Sequence, residues 1–416
     1  MRPWSILLIT TSSVFCSCST ANAQASAVFI REQIATLPAH RFMVSVVGVN
    51  ASLDTTYGRD GVSSPVSNRF QQNISFNKVA EEEPIRGNQL AGMFASNGVA
   101  LDDSAGEVKG SFNGVMNVKV PVIGYGITDQ VGIYLSAPIV NFQVRTNYQF
   151  KESNQTKAFY EKLKSAEQNT VVEEFRSAFS ASLENKLFKA GYNWNPELNR
   201  SYLGDIQLSL AYVPDVSPFR GYRQMIQPFL LLPTASDRDI HDLFGLKAGD
   251  DRLGIGSKYS LETKLNSVQV NFSVQGTYLF PNTQDRRLPK NIDDELNEYL
   301  AENSRVSGGN RLQGQVQLRY SLPHWASLNL GALWQRKYNE SILGESFSEI
   351  NYQLAEDRSN YELLSSYASI DLNSIESFLN GSFLFPGSVE LGLGLPLRGR
   401  NAIAEPTVQF QGSLFF

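Results

Sequence analysis

Cysteine is almost missing from this chain. Its 416 residues contain only Cys16 and Cys18, both near the N-terminus, so the remainder has no disulfide and no thiol chemistry. Histidine is nearly as scarce, with three copies, His40, His241 and His324. Neither His40 nor His324 has a metal-ligand partner at helical or hairpin spacing, and neither a phosphate-binding loop nor a dinucleotide fingerprint is present. No apolar run reaches the roughly 18 residues that a membrane-crossing helix requires, which excludes a polytopic helical membrane protein. Charge is sparse at 19%, and 36 basic against 41 acidic residues leave a net charge of −5. A dedicated nucleic-acid binder with a basic stripe is thereby disfavoured. What the chain does have is a 42% apolar content, enough to bury a core and to exclude long-range disorder.

The first 23 residues read as a secretory signal peptide. Arg2 supplies the positive end, Ile6 to Ile9 the apolar centre, and Ala21-Asn22-Ala23 the cleavage site. Gln24 then begins the mature chain, which has no cysteine. A lipoprotein signal with Cys18 as the lipidated residue is the competing reading, and Phe15-Cys16-Ser17 before it is a poor match.

The other end is patterned differently. In Thr407–Phe416, Val408, Phe410, Leu414 and Phe416 share one face, and Gln409, Gln411 and Ser413 share the other. This is a period-2 strand closing on an aromatic residue. Together with the signal peptide, it resembles the assembly signal of bacterial outer-membrane β-barrels. The alternation recurs. Val108, Gly110, Phe112, Gly114, Met116, Val118 and Val120 alternate with Lys109, Ser111, Asn113, Asn117 and Lys119. Val268 to Phe280 and Leu312 to Leu322 do the same against glutamine, asparagine and arginine. One face of these strands is too polar for a sandwich core. They fit a closed wall with lipid outside and water inside, the arrangement that pairs every backbone group within a bilayer. Tyr125, Tyr148, Tyr202, Tyr212, Tyr222, Trp325, Trp334 and Tyr338 fall near strand ends, where half-polar rings suit the headgroup level.

The expected fold is therefore all-β: a transmembrane antiparallel up-and-down β-barrel of about 12 strands, with 14 as the alternative. It occupies 41–416, after a periplasmic segment at 24–40. The strands are placed near 41–53, 107–126, 130–148, 202–213, 222–233, 253–265, 267–280, 309–322, 326–338, 362–385, 388–397 and 405–416. A parity change between Leu372 and Ile375 predicts a bulge, and Ala137-Pro138, which also breaks the alternation, predicts another. Short connections such as Thr128-Asp129-Gln130 belong on the periplasmic side and long ones outside. Two of the outer loops read as partly helical. Val172, Phe175, Phe179, Leu183 and Leu187 form an amphipathic helix that is either a lid over the pore or loop packing. Asn291 to Asn303 carries a shorter acidic helical patch with Ile292, Leu296, Tyr299 and Leu300 on one side.

Parity also assigns the interior. With Leu312 and Leu318 toward lipid, Arg311 and Arg319 face the lumen. By the same counting Lys109, Lys119, Arg145 and Arg398 point inward, against the acids Asp205 and Glu390. The expectation is a net positive passage that favours anions, or, equally, bases that pair with the acids and brace the wall. Asp237, Asp239, His241, Asp242, Asp250 and Asp251 crowd one outer loop, where a solvated acidic loop is the ordinary reading and a calcium site or rim catalysis the alternatives. No catalytic residue, metal site or cofactor is assigned.

Several short motifs are similar to those of a known family. Gly124-Tyr125-Gly126-Ile127-Thr128-Asp129, Leu203-Gly204-Asp205-Ile206, Leu232-Pro233-Thr234, the Gly254/Gly256 pair and Leu395-Pro396-Leu397-Arg398-Gly399-Arg400-Asn401 resemble the barrels found with phenol meta-cleavage pathways. That family is distantly similar to FadL-type fatty acid transporters. The resemblance implies passive uptake of small hydrophobic or aromatic compounds across the outer membrane, without cofactor or energy input. The chain departs from the pattern at Ala235, where the family often has glycine, and lacks an Asn-Pro-Ala hatch signature. Expected partners are outer-membrane lipid and lipopolysaccharide, the barrel-assembly machinery and a small solute, with no nucleic acid. The alternative is a structural or surface-interaction barrel whose outer loops bind a partner; an outer-membrane hydrolase is a remote third.

Overall fold

The computed structural model describes residues 36–82, 87–166, 172–173, 188, 191–193, 195–215, 221–236, 241, 248–289, 298–322, 325–374, 377–378, 382 and 384–416. Twelve strands close into one antiparallel barrel. The first, Phe42–Ser52, pairs on one side with Ser104–Gly126 and on the other with the last, Thr407–Phe415, which shuts the sheet. The third strand comes in two pieces, Val131–Ser136 and Ile139–Glu152, parted at Ala137-Pro138; the register against Ser104–Gly126 continues unshifted across the gap, so the expected bulge is instead a break in pairing. The fourth is also split, into Glu197–Leu203 and Ile206–Tyr212. Tyr222–Leu232, Gly254–Leu265, Val268–Leu279, Arg311–Ser321, Ala326–Lys337, Tyr361–Asn373 and Gly387–Arg400 complete the wall in sequence order. The tight hairpin at Asn266-Ser267 is shaped by Asn266, whose φ of 54° lies in the left-handed region that asparagine tolerates.

Additional strands lie outside the wall. Asn282–Pro289, Glu298–Gly308 and Glu340–Leu343 form one small sheet, and Thr55–Tyr57, Ser63–Pro65 and Ala402–Ile403 another. The short Gln72–Ser75 pairs with the outer part of Ser104–Gly126. This corrects the helical expectation at 291–303: Tyr299 and Leu300 lie in a strand, opposite Leu288 and Arg287. Residues 290–297 lie outside the described residues. The bulge expected between Leu372 and Ile375 is instead the end of the strand, which stops at Asn373.

The outer face carries the apolar side of most strands. Phe272, Val274, Tyr278, Val316, Leu318, Leu328, Leu330, Leu391, Leu393, Val408, Phe410 and Leu414 are exposed, forming a continuous belt that only lipid can cover at low cost. The Ser104–Gly126 strand is 23 residues long, about twice what crosses a bilayer, so its outer half stands above the belt. There it supports a cap made by the helices Phe76–Glu82, Gly87–Ser96 and Asn154–Ser165. Phe76, Phe94 and Phe159 fill the cap's core, with ring centroids 4.8 to 6.4 Å apart. Val172 is buried in the same core, whereas Phe175, Phe179, Leu183 and Leu187 lie outside the described residues. Ser153 caps the third helix by accepting from Thr156 N at 3.0 Å.

Candidate functional site: the barrel interior and its two ends

The interior is divided lengthwise by residue type. On the strands Phe42–Ser52 and Ser104–Gly126 and on the paired pieces Ile139–Glu152 and Glu197–Leu203, the inward side chains are mostly apolar. Val47, Val49, Met116, Val118, Val120, Val140, Phe142 and Val144 form one buried cluster with Tyr134, Leu198 and Tyr202. Across from it the inward residues are mostly amides and hydroxyls: Gln227, Asn271, Ser273, Gln315, Gln317, Asn329 and Ser369. Neighbouring strands align these into rows, with Gln275 opposite Gln313 and Gln313 opposite Gln335. The buried carbonyl oxygens of Gln207, Gln227, Gln275 and Gln335 accept no hydrogen bond from the protein. Such groups are costly to leave unmet and are available to water or a passing molecule. Both halves of the inner wall are buried, Phe142 and Gln317 at 0% exposure alike. The side chains therefore fill most of the cross-section.

Some of the charges inside the barrel are paired, among them Arg223 and Glu262, 3.7 Å apart. Arg319 Nη2 lies 3.3 Å from Asp371 Oδ2, and Ser327 joins both, accepting from Arg319 Nε at 3.0 Å and donating to Asp371 at 3.2 Å. Glu390 is opposite Asp371 in register and accepts from Ser369 Oγ. Lys258 and Glu262 add one inward charge of each sign, both buried. Asp371, Lys258 and Glu262 escaped the sequence reading, although each occupies a polar position in an alternating strand.

The outer end is held by a larger network. Arg311 binds Asp250, Lys337 Nζ lies 3.7 Å from Asp250 Oδ1 and 2.9 Å from Glu340 Oε1, and Arg286 Nη2 is 3.1 Å from Glu340 Oε2. Arg252, fully buried, donates to the backbone oxygens of Leu279, Phe280 and Gly308. Asp205 accepts from the backbone N–H groups of Ala235 and Asp250 at 3.3 and 2.7 Å. The network thereby ties residues 233–236 and 248–253 and the outer sheet to the barrel rim. Burial opposes ionisation of Glu340, but Arg286 and Lys337 outweigh it and hold its pKa at about 2. Tyr57, in the small outer sheet, closes over the inner face at Leu333, Tyr361 and Leu363.

At the other end, residues that precede the first strand pack into the barrel. Leu37 is buried at 2% exposure in the interior cluster. Thr36 Oγ1 donates to Asp129 O at 2.5 Å, Ala39 N to Asp129 Oδ1 at 2.9 Å and His40 N to Gly126 O at 2.8 Å. A side chain at Gly126 would overlap Pro38 O. The Gly124–Asp129 motif is thus the seat of the Thr36–Arg41 segment.

The sequence-derived pore residues separate into two groups. Arg311, Arg319 and Glu390 are on the inner face, and Asp205 is at the outer rim. Lys109, Lys119, Arg145 and Arg398 are corrected: all four are exposed on the outer face. In Ser104–Gly126 the apolar residues turn inward and Lys109, Asn117 and Lys119 outward, the reverse of the expected sense. Arg145 lies beside Glu197 at 3.5 Å, both largely exposed. Arg398 is re-aimed by a bulge: Ser365 is opposite Pro396 and Leu364 opposite Arg398, so Leu397 is the extra residue. Tyr202 is also corrected, being buried inward against Phe142 rather than at a lipid interface. Of the acidic outer loop, Asp237, Asp239 and Asp242 lie outside the described residues, His241 Nδ1 contacts Gly191 O at 2.8 Å, and Asp250 belongs to the ion network. Among the described residues no three potential metal ligands come together. Val408, Phe410, Leu414 and Phe416 form the exposed face of the closing strand.

A closed antiparallel barrel of twelve strands with an exposed apolar belt is the fold of an outer-membrane β-barrel protein. No family model matches the chain and no curated protein sequence matches it. Among solved structures, it is similar to the COG4313 outer membrane channel from Pseudomonas putida F1, with a TM-score of 0.53, 12% identity, and coverage of 94% of this chain and 100% of that one. Looser likenesses are a FadL homologue of Pseudomonas aeruginosa, at TM-score 0.31 and 7% identity over 91% and 90% of the two chains, and the TodX monoaromatic hydrocarbon channel, at 0.34 and 10% over 91% and 90%. At these identities the likeness concerns the fold.

Proposed function

We propose that the protein is an outer-membrane channel for passive uptake of small solutes that have an apolar body and a hydrogen-bonding edge. The observation that carries this reading is the divided interior. One strip offers Val, Met, Phe and Tyr side chains, and the facing strip offers amides with unmet carbonyl oxygens. A ligand passage of this kind desolvates an apolar surface while keeping one polar group satisfied. Purified protein in liposomes should speed entry of small substituted aromatics over protein-free vesicles, and should not do so for sugars of similar size. Equal rates for both would sink the reading.

A second reading is a barrel whose outer loops bind a partner, and the helical cap with its own aromatic core supports it. Planar-bilayer recordings separate the two: discrete conductance steps favour transport, and a sealed barrel favours interaction.

A further inference from the structure

Three arginines stand together on the outer face of the wall, at the outer edge of its apolar belt. Arg336 is opposite Glu362 and Glu362 is opposite Arg400, in one register row across three strands. Arg398 lies beside them, opposite Leu364. All three arginines are exposed, and among the described residues none has a carboxylate within ion-pair distance. Glu362 is engaged by Trp334, whose Nε1 donates to it at 2.8 Å. On the other side of the barrel, Lys109 and Arg145 have Glu107 and Glu197 at 3.4 and 3.5 Å. The arginine group is therefore a local surplus of positive charge, three against one.

Its position matters as much as its charge. Directly below on the same outward face are Leu364 and Leu395, both exposed. The bulge at Leu397 brings about this placement. Without it, parity would turn Arg398 and Arg400 into the lumen and Gly399 outward. With it, Gly399 takes the inner position beneath Tyr57, where any side chain would overlap the ring, and both arginines face the membrane border.

We propose that Arg336, Arg398 and Arg400 bind the phosphate groups of an outer-leaflet glycolipid whose acyl chains lie along Leu364 and Leu395. Guanidinium forks match phosphate oxygens in pairs, and exposed arginines beside tryptophan at a bilayer border meet the charged headgroup layer. Free phosphate would use the arginines but gain nothing from the leucines. The inference rests on the transmembrane reading of the wall and is independent of the solute.

The test compares wild type with the triple variant Arg336→Gln, Arg398→Gln, Arg400→Gln. A control variant is Arg145→Gln, from the opposite sector. Heat-modifiable gel migration first establishes that each is a folded barrel. That readout fails if the transmembrane reading is wrong, and it is unaffected if only the lipid site is wrong. Affinity is then measured by native mass spectrometry with a bis-phosphorylated hexa-acyl glycolipid, its dephosphorylated form and inorganic phosphate. The triple variant should bind the phosphorylated lipid at least about tenfold more weakly than wild type and the control. Dephosphorylation should cost the wild type a similar factor. Equal binding by folded wild type and triple variant would overturn the proposal, as would inorganic phosphate competing as strongly as the lipid. Should the triple variant fail to fold, Arg398→Lys, which keeps the charge and loses the fork, should show weakened lipid binding; unchanged binding there would overturn it as well.

Discussion

Arg319 and Asp371 form an ion pair inside the barrel, 3.3 Å from Nη2 to Oδ2, with side chains 7% and 0% exposed. It bridges strands that are not neighbours, since Ala326–Lys337 runs between them and contributes Ser327 to both partners. The pair thus laces three strands across the inner wall. Removing one partner leaves a buried charge unmatched, which costs several kcal/mol in such settings, roughly 3–5. Arg319→Leu and Asp371→Leu should each lower the urea midpoint of the detergent-folded barrel substantially. The double variant should recover much of the loss. Equal losses in the singles and the double would show that the two charges are not coupled.

The same pair revises the expected selectivity. Four of the bases assigned inward, Lys109, Lys119, Arg145 and Arg398, are outside, while Asp371 and Glu262 join Glu390 within. Below the outer ion network the inner wall holds Arg223, Lys258 and Arg319 against these three acids, with Arg223 3.7 Å from Glu262, so the expected positive surplus is absent. Reversal potentials under a salt gradient should show no strong anion selectivity. Asp371→Asn with Glu390→Gln should shift them toward anions, because wall charge acts strongly in a narrow low-dielectric passage. An unshifted potential in the folded double variant would place these carboxylates outside the conduction path.

The strands themselves were legible because one face of each is polar and the other apolar. Val268–Leu279 and Arg311–Ser321 turn their glutamines inward as the sequence reading expects. Alternation, however, states which residues share a face and not which face is inside. In Ser104–Gly126 the rule of apolar residues toward lipid fails. The upper half outgrows the belt and is wetted from outside: Lys109 and Asn113 meet water there, and Val108 packs on the cap. In the lower half Met116, Val118 and Val120 join the apolar interior cluster, which leaves Asn117 and Lys119 facing outward. Arg398 was misplaced for a different reason: a single inserted residue reverses all parity beyond it. Pro396, which cannot donate to a ladder, was the available signal. The Asp250–Arg311–Lys337–Glu340 network had no sequence signal, since its members come from separate loops and strands.

Glu340 makes the outer end sensitive to acid. Its pKa is about 2 in the folded protein against 4.5 for an unperturbed glutamate. A depressed carboxyl pKa contributes stability that is complete above about pH 4.5 and is lost as pH falls toward 2. The difference corresponds to something on the order of 3 kcal/mol. The outer sheet should therefore loosen over that window while the lipid-embedded wall remains intact. Cleavage by an acid-active protease should begin in the 282–308 and 340–358 segments between pH 4.5 and 2. A Glu340→Gln variant should already be cleaved there at pH 5. Cleavage of the variant and wild type at the same pH would remove Glu340 as the cause.

Gly126 and Pro38 are in close contact at the end of the barrel opposite the helical cap, and a Cβ at position 126 would overlap Pro38 O. Gly126→Ala should therefore unseat the Thr36–Arg41 segment while leaving the wall paired, because Phe42 remains opposite Tyr125. Released, the segment should be cut by protease from that side at a rate well above wild type. If Leu37 obstructs the passage, single-channel conductance should also rise. Faster cleavage with unchanged conductance would make the segment a brace of the rim and not a closure.

Phe416 closes the barrel as well as ending it. Its backbone N donates to Phe42 O at 2.9 Å and its oxygen accepts from Phe42 N at 3.1 Å, while its ring lies on the lipid face at 60% exposure. Deleting it removes both hydrogen bonds at the seam where the first and last strands meet. Phe416→Asp keeps the backbone bonds but puts a charge at the edge of the belt, where the penalty is modest compared with mid-membrane. If the aromatic ring is read during assembly, the Asp variant should insert poorly in cells yet refold in detergent almost as well as wild type. The deletion should be impaired in both settings. Heat-modifiable migration, scored in membranes and after refolding in vitro, distinguishes these outcomes. Normal insertion of the Asp variant in cells would mean that the terminal ring acts only as part of the lipid-facing surface.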